Sequence, residues 1–199
     1  MSKLSLGALI AFIILCALSP IALFFIVPRA NVEARAATAV TAAIEKPAEE
    51  IVRAELPSRI RIPRLGINAH LEHVGIKADG SLDAPKDPFN AAWFAGGPRP
   101  GEIGSAVIDG HYGWIDDVPA VFDNLNSIVK GDRIYVIDVT GSTTAFTVTE
   151  VRVFDKDADA TSVFVSNDGK ARLNLITCEG AWNETTQKYS GRLVVFAEK

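Results

Sequence analysis

The sequence predicts an all-β domain with minor short helix, arranged as a closed barrel or a sandwich and preceded by an N-terminal transmembrane helix. Three observations lead to this fold class. Residues 4–27 are almost wholly apolar, short runs of alternating polar and apolar residues follow residue 58, and turn-forming pairs such as Asp79-Gly80 separate those runs. At 199 residues the chain has room for one domain plus accessory segments.

Residues 1–27 are predicted to be a membrane anchor. Within them, residues 4–27 are interrupted only by two serines, one glycine and one proline. That length crosses a hydrocarbon core of about 30 Å as a helix. The alternative is a cleavable signal peptide, with small-residue sites between residues 34 and 39. The apolar segment exceeds the ~7–15 residues of a signal sequence, which favours an uncleaved, single-pass anchor.

Residues 28–57 are predicted to be a spacer or stalk. Their composition shifts to alanine, glutamate, arginine and threonine, with few large apolar residues, and Pro47 interrupts the best helix-forming stretch. The third segment, residues 58–199, is the predicted folded domain.

Seven runs in this domain have the pattern of half-buried strands. They cover residues 59–62, 69–74, 105–108, 133–139, 144–154, 171–177 and 192–197. Only residues 118–128 suggest a helix, because Val121, Phe122, Leu125 and Ile128 have helical spacing. Seven or eight short strands in about 140 residues are typical of a barrel or sandwich.

The charge pattern argues against nucleic acid as a partner. The formal net charge is −4, and lysine and arginine do not cluster in the folded domain. A protein that binds a phosphate backbone needs a basic surface.

Cys178 is the most informative residue for function. It is the only cysteine outside the apolar N-terminal segment, so it has no second thiol there to pair with. Its useful chemistry is therefore nucleophilic, metal-binding or none. It ends an apolar run, and Glu179-Gly180 after it is predicted to be a turn whose N–H groups face an oxyanion.

His111 and Arg192 are the candidate partners of this thiol. His111 follows a predicted strand and is a candidate general acid and base, although a loop histidine often only caps a backbone group. Arg192 opens the last strand and is a candidate for holding substrate and oxyanion, although a cation beside an apolar strand is also common at surfaces.

The sequence predicts no metal site and no cofactor. His70 and His73 are three residues apart in a predicted strand, where they would point to opposite faces. No ligand pair has zinc spacing. The acidic residues Asp116, Asp117 and Asp123 favour a solvated loop over a calcium site.

The order His111, Cys178, Arg192, with gaps of 67 and 14 residues, resembles the sortases, which are cysteine transpeptidases of bacterial cell envelopes. The segments that carry the resemblance are Ala106-Val107-Ile108-Asp109-Gly110-His111, Leu175-Ile176-Thr177-Cys178 and Arg192-Leu193-Val194-Val195-Phe196-Ala197. It covers residues 58–199. The Trp93-Phe94 region and the segment Thr177-Cys178-Glu179-Gly180-Ala181 look closest to class F sortases, although class F members tend to have glycine in place of Glu179.

The resemblance implies an eight-stranded barrel with Cys178, His111 and Arg192 at its rim. It further implies cleavage of a Leu-Pro-x-Thr-Gly-type sorting signal on secreted proteins, and transfer to a peptidoglycan-precursor or pilin amine. Thr177 and Glu179 would contact substrate, the latter through its backbone N–H. The expected location is the cell membrane, with the catalytic domain extracytoplasmic.

Other cysteine enzymes and a non-enzymatic barrel are the alternatives to a sortase. Papain-like proteases place cysteine before histidine, opposite to this order. L,D-transpeptidases carry their cysteine in a Ser-x-Gly-Cys-type segment, which the chain lacks. The non-enzymatic alternative is a membrane-anchored β-barrel for binding or scaffolding, with Cys178 buried and inert.

Overall fold

The computed structural model describes residues 54–199. The predicted membrane anchor and all but the last four residues of the predicted stalk lie outside the described residues. Among residues 54–199, no helix combines the length and the apolar character needed to cross a membrane.

Residues 54–199 form ten strands, one four-residue helix and two short 3₁₀ segments. The strands are β1 (Pro57–Ile62), β2 (Ile67–Val74), β3 (Ala91–Phe94), β4 (Gly104–Gly110), β5 (Trp114–Ile115), β6 (Val118–Pro119), β7 (Arg133–Asp138), β8 (Thr143–Asp155), β9 (Ala171–Asn183) and β10 (Lys188–Glu198). The helix is α1 (Thr161–Phe164), and the 3₁₀ segments are Pro63–Leu65 and Leu125–Ser127.

Eight of these strands close into a barrel in the order β1-β2-β3-β4-β9-β10-β8-β7, with β7 pairing back to β1. The β2–β3 and β4–β9 pairs are parallel and the others are antiparallel. β5 and β6 form a separate two-stranded ribbon. The prediction of an all-β fold is confirmed, and of the two architectures left open the barrel is the one observed.

The hydrophobic core fills the barrel. β4 contributes Ala106 and Ile108, and β9 contributes Leu173 and Leu175. Because successive side chains of a strand point to opposite faces, the residues between these point outward. The alternation decides which side chains of β4, β9 and β10 share the outer surface.

The predicted helix over residues 118–128 is wrong. Residues 118–119 belong to β6, and the rest is a series of tight turns in which amide groups bond to carbonyls three residues earlier, as Leu125 N does to Phe122 O at 3.1 Å. Phe122, Leu125 and Ile128 are nonetheless buried. Their spacing reflects turns that cap the barrel interior, because consecutive i→i−3 turns also bring every third residue to one side.

Several strands differ from the predicted set, and the two-residue strands β5 and β6 were not predicted. β3 was missed because both its faces are covered, so that its sequence Ala-Ala-Trp-Phe has no polar alternation. β9 and β10 extend as a hairpin beyond the predicted ends, with Lys188 opposite Asn183. Cys178 therefore lies within β9 and not at its end.

Candidate active site

Cys178 and Arg192 face each other across the β9–β10 ladder, where they are directly paired in register. Their neighbours Leu175 and Leu193 belong to the barrel core, so the alternation of both strands places Cys178 and Arg192 on the outer face. Cys178 is partly exposed and carries a free thiol. On its other side Arg192 pairs with Phe154 of β8.

His111 is brought to the same level by the parallel pairing of β4 with β9. The last pair of that ladder is Asp109 with Ile176, and two further residues along each chain lead to His111 and Cys178. A buried hydrogen bond continues the contact, because Thr177 Oγ1 donates to Gly110 O at 2.7 Å. The chain therefore carries thiol, imidazole and guanidinium to one edge of the barrel.

Gly110 is required by the packing beneath His111. A Cβ at this position would lie 2.3 Å from the Phe122 ring, which is a distance that real Cβ atoms do not show. Phe122 N in turn donates to His111 O at 3.0 Å. The tight turn after β4 is thus anchored from both sides, and only glycine lets the chain pass so close to the ring.

The His111 ring is oriented by the β2–β3 connection. Its Nε2 lies 2.9 Å from Pro85 O. A carbonyl oxygen only accepts hydrogen bonds, so Nε2 carries a proton in this contact. Nδ1 is then the ring nitrogen that is left to exchange a proton with a reacting group.

The electrostatics keep the Cys178 thiol protonated in the free protein. Burial raises its pKa above the ordinary value, Asp109 raises it further, and Arg192 works in the opposite direction. At neutral pH the free thiol is therefore mostly uncharged. The guanidinium is the group that favours the thiolate when a substrate arrives.

Asp109 is a partly exposed residue of β4 to which the sequence motifs assigned no role. It lies two residues before His111, which follows the end of the strand. Burial raises its pKa to about 7, against the opposing effects of the Gly110 amide, Arg192 and Lys77. The sequence signal that could have found Asp109 is its two-residue spacing from His111, because side chains two residues apart in an extended chain point to the same face.

The predicted turn at Glu179-Gly180 is a β-bulge. Gly191 pairs with Glu179 and Tyr189 with Trp182, so Ser190 faces two residues of β9. Gly180 takes φ +89°, the positive value that favours glycine. Of the two residues predicted to contact substrate, Thr177 is buried and holds Gly110, and Glu179 lies on the barrel side of the strand.

The other histidines make separate contacts. His73 Nε2 lies 2.8 Å from Pro57 O, and His70 Nε2 lies 2.9 Å from Arg59 Nη2. Within residues 54–199 no three histidine, cysteine, aspartate or glutamate side chains converge on a position that would hold a metal ion. Asp123 Oδ1 accepts a hydrogen bond from Gly113 N at 3.1 Å and so holds the loop after His111.

Two cavities in the described domain lie away from this edge. One of about 260 Å³ lies beside the start of β2, and one of about 370 Å³ lies between the ends of β1, β7 and β8. Neither is lined by Cys178, His111 or Arg192. The Cys178 thiol is only partly exposed.

A closed β-barrel with a thiol, an imidazole and a guanidinium at one edge has the equipment of a cysteine acyl-transfer enzyme. The sortase domain family model matches residues 60–199, and the chain belongs to the sortase family. It is therefore a sortase, a cysteine transpeptidase of the family that acts on sorting-signal proteins and amine acceptors.

Solved structures agree with this family. Sortase C-1 from Actinomyces oris is 26% identical with a TM-score of 0.57, and the match covers 71% of this chain and 72% of that one. A lid mutant of sortase A from Corynebacterium diphtheriae is 26% identical with a TM-score of 0.56, covering 73% and 72%. Sortase C1 from Streptococcus agalactiae, 21% identical with a TM-score of 0.56 over 71% and 65%, shares the fold. No curated protein matches the sequence.

Proposed function

We propose that this sortase cleaves a Leu-Pro-x-Thr-Gly-type sorting signal between threonine and glycine through a thioester on Cys178. The acyl group then passes to a cell-wall or pilin amine. The observation that carries the proposal is the direct pairing of Cys178 with Arg192, with His111 one strand away at the same level.

In the first half-reaction Cys178 Sγ attacks the threonine carbonyl carbon, and its proton is taken up by His111. The C–S bond forms and the peptide C–N bond breaks. His111 Nδ1 gives a proton to the departing glycine amine. The other ring nitrogen, Nε2, is held by Pro85 O, which supports Nδ1 as the nitrogen that transfers the proton.

Arg192 is proposed to stabilise the negative oxygen that develops on the attacked carbonyl. Its Nη1 donates to Gly191 O at 2.8 Å, which fixes the guanidinium beside the thiol and leaves other N–H groups of the fork for substrate. Thr177 and the backbone N–H of Glu179 are the remaining proposed substrate contacts.

In the second half-reaction an amine attacks the thioester, and the C–N bond forms as the C–S bond breaks. His111 accepts a proton from the amine and Sγ leaves as thiolate. Water in place of the amine gives hydrolysis.

We further propose that residues 1–27 anchor the enzyme, that the catalytic domain is extracytoplasmic, and that the chain is a class F sortase. The apolar length of residues 4–27 supports the anchor. An enzyme tethered to the surface that carries its substrates gains effective concentration. The Trp93-Phe94 and Thr177–Ala181 segments support the subclass.

The test is turnover of an internally quenched Leu-Pro-x-Thr-Gly peptide by the full chain, with the cleaved bond identified by chromatography. We expect cleavage after threonine, and none with Cys178→Ala. Cleavage at another bond would contradict the proposed signal, and equal turnover by Cys178→Ala would contradict the proposed nucleophile.

The scaffold alternative is tested by thiol chemistry. If Cys178 is a working nucleophile, a methanethiosulfonate labels it in the native protein and the label stops peptide turnover. An unlabelled thiol under native conditions would favour a binding role.

A further inference from the structure

The Asp109 carboxyl takes part in no ion pair of the described domain. Two cations act on it from a distance, but both are directed elsewhere. Lys77 Nζ lies 3.7 Å from Asp83 Oδ1, and Arg192 Nη1 donates to Gly191 O at 2.8 Å. Partial burial raises the pKa of Asp109 to about 7. A carboxylate that is shielded from water and lacks a paired cation is stabilised when a cation of a ligand reaches it.

Asp109 lies in the row of side chains next to the thiol. Its neighbour Ile108 belongs to the barrel core, so the Asp109 side chain is directed to the outer face. On that face Asp109 is paired with Ile176, and both residues are partly exposed. Two residues further along the two chains are His111 and Cys178. Because a strand rises about 3.3 Å per residue, the row of Asp109 and Ile176 lies about 7 Å from the row of the thiol.

The helix α1 covers the next row on the other side. That row consists of the paired residues Val107 and Asn174, which are 0% and 1% exposed. Asn174 Nδ2 donates to Val163 O at 2.5 Å, and the Phe164 ring meets the Phe94 ring edge to face with centroids 5.9 Å apart. The helix is therefore fixed on the outer face of the barrel, immediately behind the partly exposed row.

The β2–β3 connection forms a second wall. Glu72 of β2 accepts hydrogen bonds from Lys86 N at 2.9 Å and from Asp87 N at 3.1 Å. The preceding carbonyl, Pro85 O, lies 2.9 Å from Nε2 of His111. These contacts hold the connection beside the imidazole, so the partly exposed row has a wall on this side as well.

The trough is the surface between α1 and the β2–β3 connection, with Asp109 and Ile176 as its floor, and it ends at Cys178. Beyond Cys178 the strands continue as a hairpin whose residues from Gly180 to Asn183 are exposed. A Leu-Pro-x-Thr-Gly signal has four residues before the cleaved bond and one after it. The trough suits the longer part, because it offers side chains from two walls and a floor.

We propose that Asp109 makes this enzyme select sorting signals with lysine or arginine at position x, the residue before the threonine. The inference rests on the proposed function, which places the threonine carbonyl at Cys178. Position x is the one position that the proposed signal leaves variable. A long side chain is required because the floor lies about 7 Å from the row of the thiol. Ile176 would contact its methylene groups, and Asp109 would accept hydrogen bonds from its charged end.

Asp109 also acts on the thiol, and the two effects are separable. The charge of Asp109 raises the pKa of Cys178, which changes the reactivity of the thiol toward every peptide alike. That effect cancels in the ratio of kcat/KM values for two peptides that differ only at x. The ratio therefore reports how Asp109 contacts the substrate.

The test uses the full chain and three internally quenched peptides, with lysine, norleucine or glutamate at x. At pH 8 we expect kcat/KM to be about fivefold or more higher for lysine than for norleucine, and lowest for glutamate. Asp109→Asn should abolish this order, and Asp109→Lys should reverse it in favour of glutamate. Asp157 is the matched control, because its exposed carboxylate also interacts with Arg192 but is paired with Lys156. Asp157→Asn is expected to keep the selectivity of the unsubstituted enzyme.

A second measurement uses the unsubstituted enzyme, so that it does not depend on how a variant folds. The lysine-to-norleucine ratio of kcat/KM should rise from pH 6 to pH 8, as the Asp109 carboxyl ionises with a pKa of about 7. The ionisations of Cys178 and His111 are common to both peptides and cancel. The other charged groups that act on Asp109, Lys77 and Arg192, stay charged over this range.

Three results would overturn the selection of a basic residue. They are equal kcat/KM values for the three peptides, a lysine-to-norleucine ratio that Asp109→Asn leaves unchanged, and a ratio that does not vary with pH. Absence of cleavage of all three peptides by the unsubstituted enzyme would instead overturn the proposed function, and this inference with it.

Discussion

Thr177 Oγ1 donates a hydrogen bond to Gly110 O at 2.7 Å across the β4–β9 ladder. These two residues immediately precede Cys178 and His111. The bond is buried, so it is not exchanged for water, and it ties together the two chain segments that carry the thiol and the imidazole. The relative position of the proposed nucleophile and its acid-base partner is therefore built into the barrel wall.

The first prediction concerns this bond. Thr177→Val keeps the shape of the side chain but leaves Gly110 O without its donor, and we expect a loss of about 1–3 kcal/mol in the free energy of unfolding. Turnover should fall as well, because His111 is less well positioned. Thr177→Ser keeps the hydroxyl and is the matched control. Equal stability of the valine and serine variants in denaturant titrations would show that the bond is unimportant.

The second prediction concerns the glycine before His111. Gly110→Ala forces a methyl group into the Phe122 ring, so we expect strong destabilisation, about 2–4 kcal/mol, in thermal or denaturant unfolding. Phe122→Leu in the same chain should recover part of the loss. Gly75 has no atom within 4 Å of a built Cβ, and Gly75→Ala is expected to be nearly neutral. A neutral Gly110→Ala would refute the packing described for this turn.

The third prediction concerns the guanidinium. Arg192→Lys keeps the charge but loses the planar fork, which cannot be replaced where several donors are needed. We expect kcat/KM for peptide cleavage to fall about 10²-fold or more, the cost of losing an oxyanion donor. The fold should be unchanged by circular dichroism. Near-normal turnover by Arg192→Lys would mean that a positive charge at this position is sufficient for peptide cleavage and that the planar guanidinium is not needed.

The fourth prediction concerns the pH dependence of stability. The Asp109 carboxyl has a pKa of about 7 in the folded protein and an ordinary value near 3.8 when unfolded. Between these values the folded state binds more protons, so the free energy of unfolding falls as pH rises from about 4 to about 7 and levels off above. Asp109→Asn should flatten this slope in denaturant titrations. An unaltered slope would exclude Asp109 as its source.

The same substitution gives a readout at the thiol. Ionised Asp109 raises the pKa of Cys178, so removing that charge lowers it. Iodoacetamide should then label Asp109→Asn about two- to fivefold faster near pH 8, the effect of one charge roughly two strand positions away. A rate no different from that of the unsubstituted enzyme would show that the two groups are not coupled.

Much of the barrel could be predicted because its strands have a buried and an exposed face. The runs at 59–62 and 133–139 alternate for this reason, and they coincide with the barrel strands β1 and β7. β3 was missed because it is covered on both faces, and the turns over residues 118–128 were taken for a helix because both structures repeat about every three residues.

For the candidate site, the sequence could predict which residues take part and their order along the chain, but not how they are arranged in space. The motifs around His111, Cys178 and Arg192 indicated the chemistry, but the register that pairs Cys178 with Arg192 depends on the bulge at Gly180. Contacts made through the backbone, such as His111 with Pro85 O, leave no mark on residue type. The same is true of Asp109, whose burial depends on the strands packed beside it.

The most direct test of the central claim is the intact mass of the enzyme after brief incubation with a Leu-Pro-x-Thr-Gly peptide and no acceptor. We predict a mass increase equal to the acyl fragment ending in threonine, located on Cys178 by peptide mapping, released by hydroxylamine and absent in Cys178→Ala. An unmodified mass while the peptide is being cleaved, or an adduct on another residue, would contradict the assignment of Cys178 as the nucleophile.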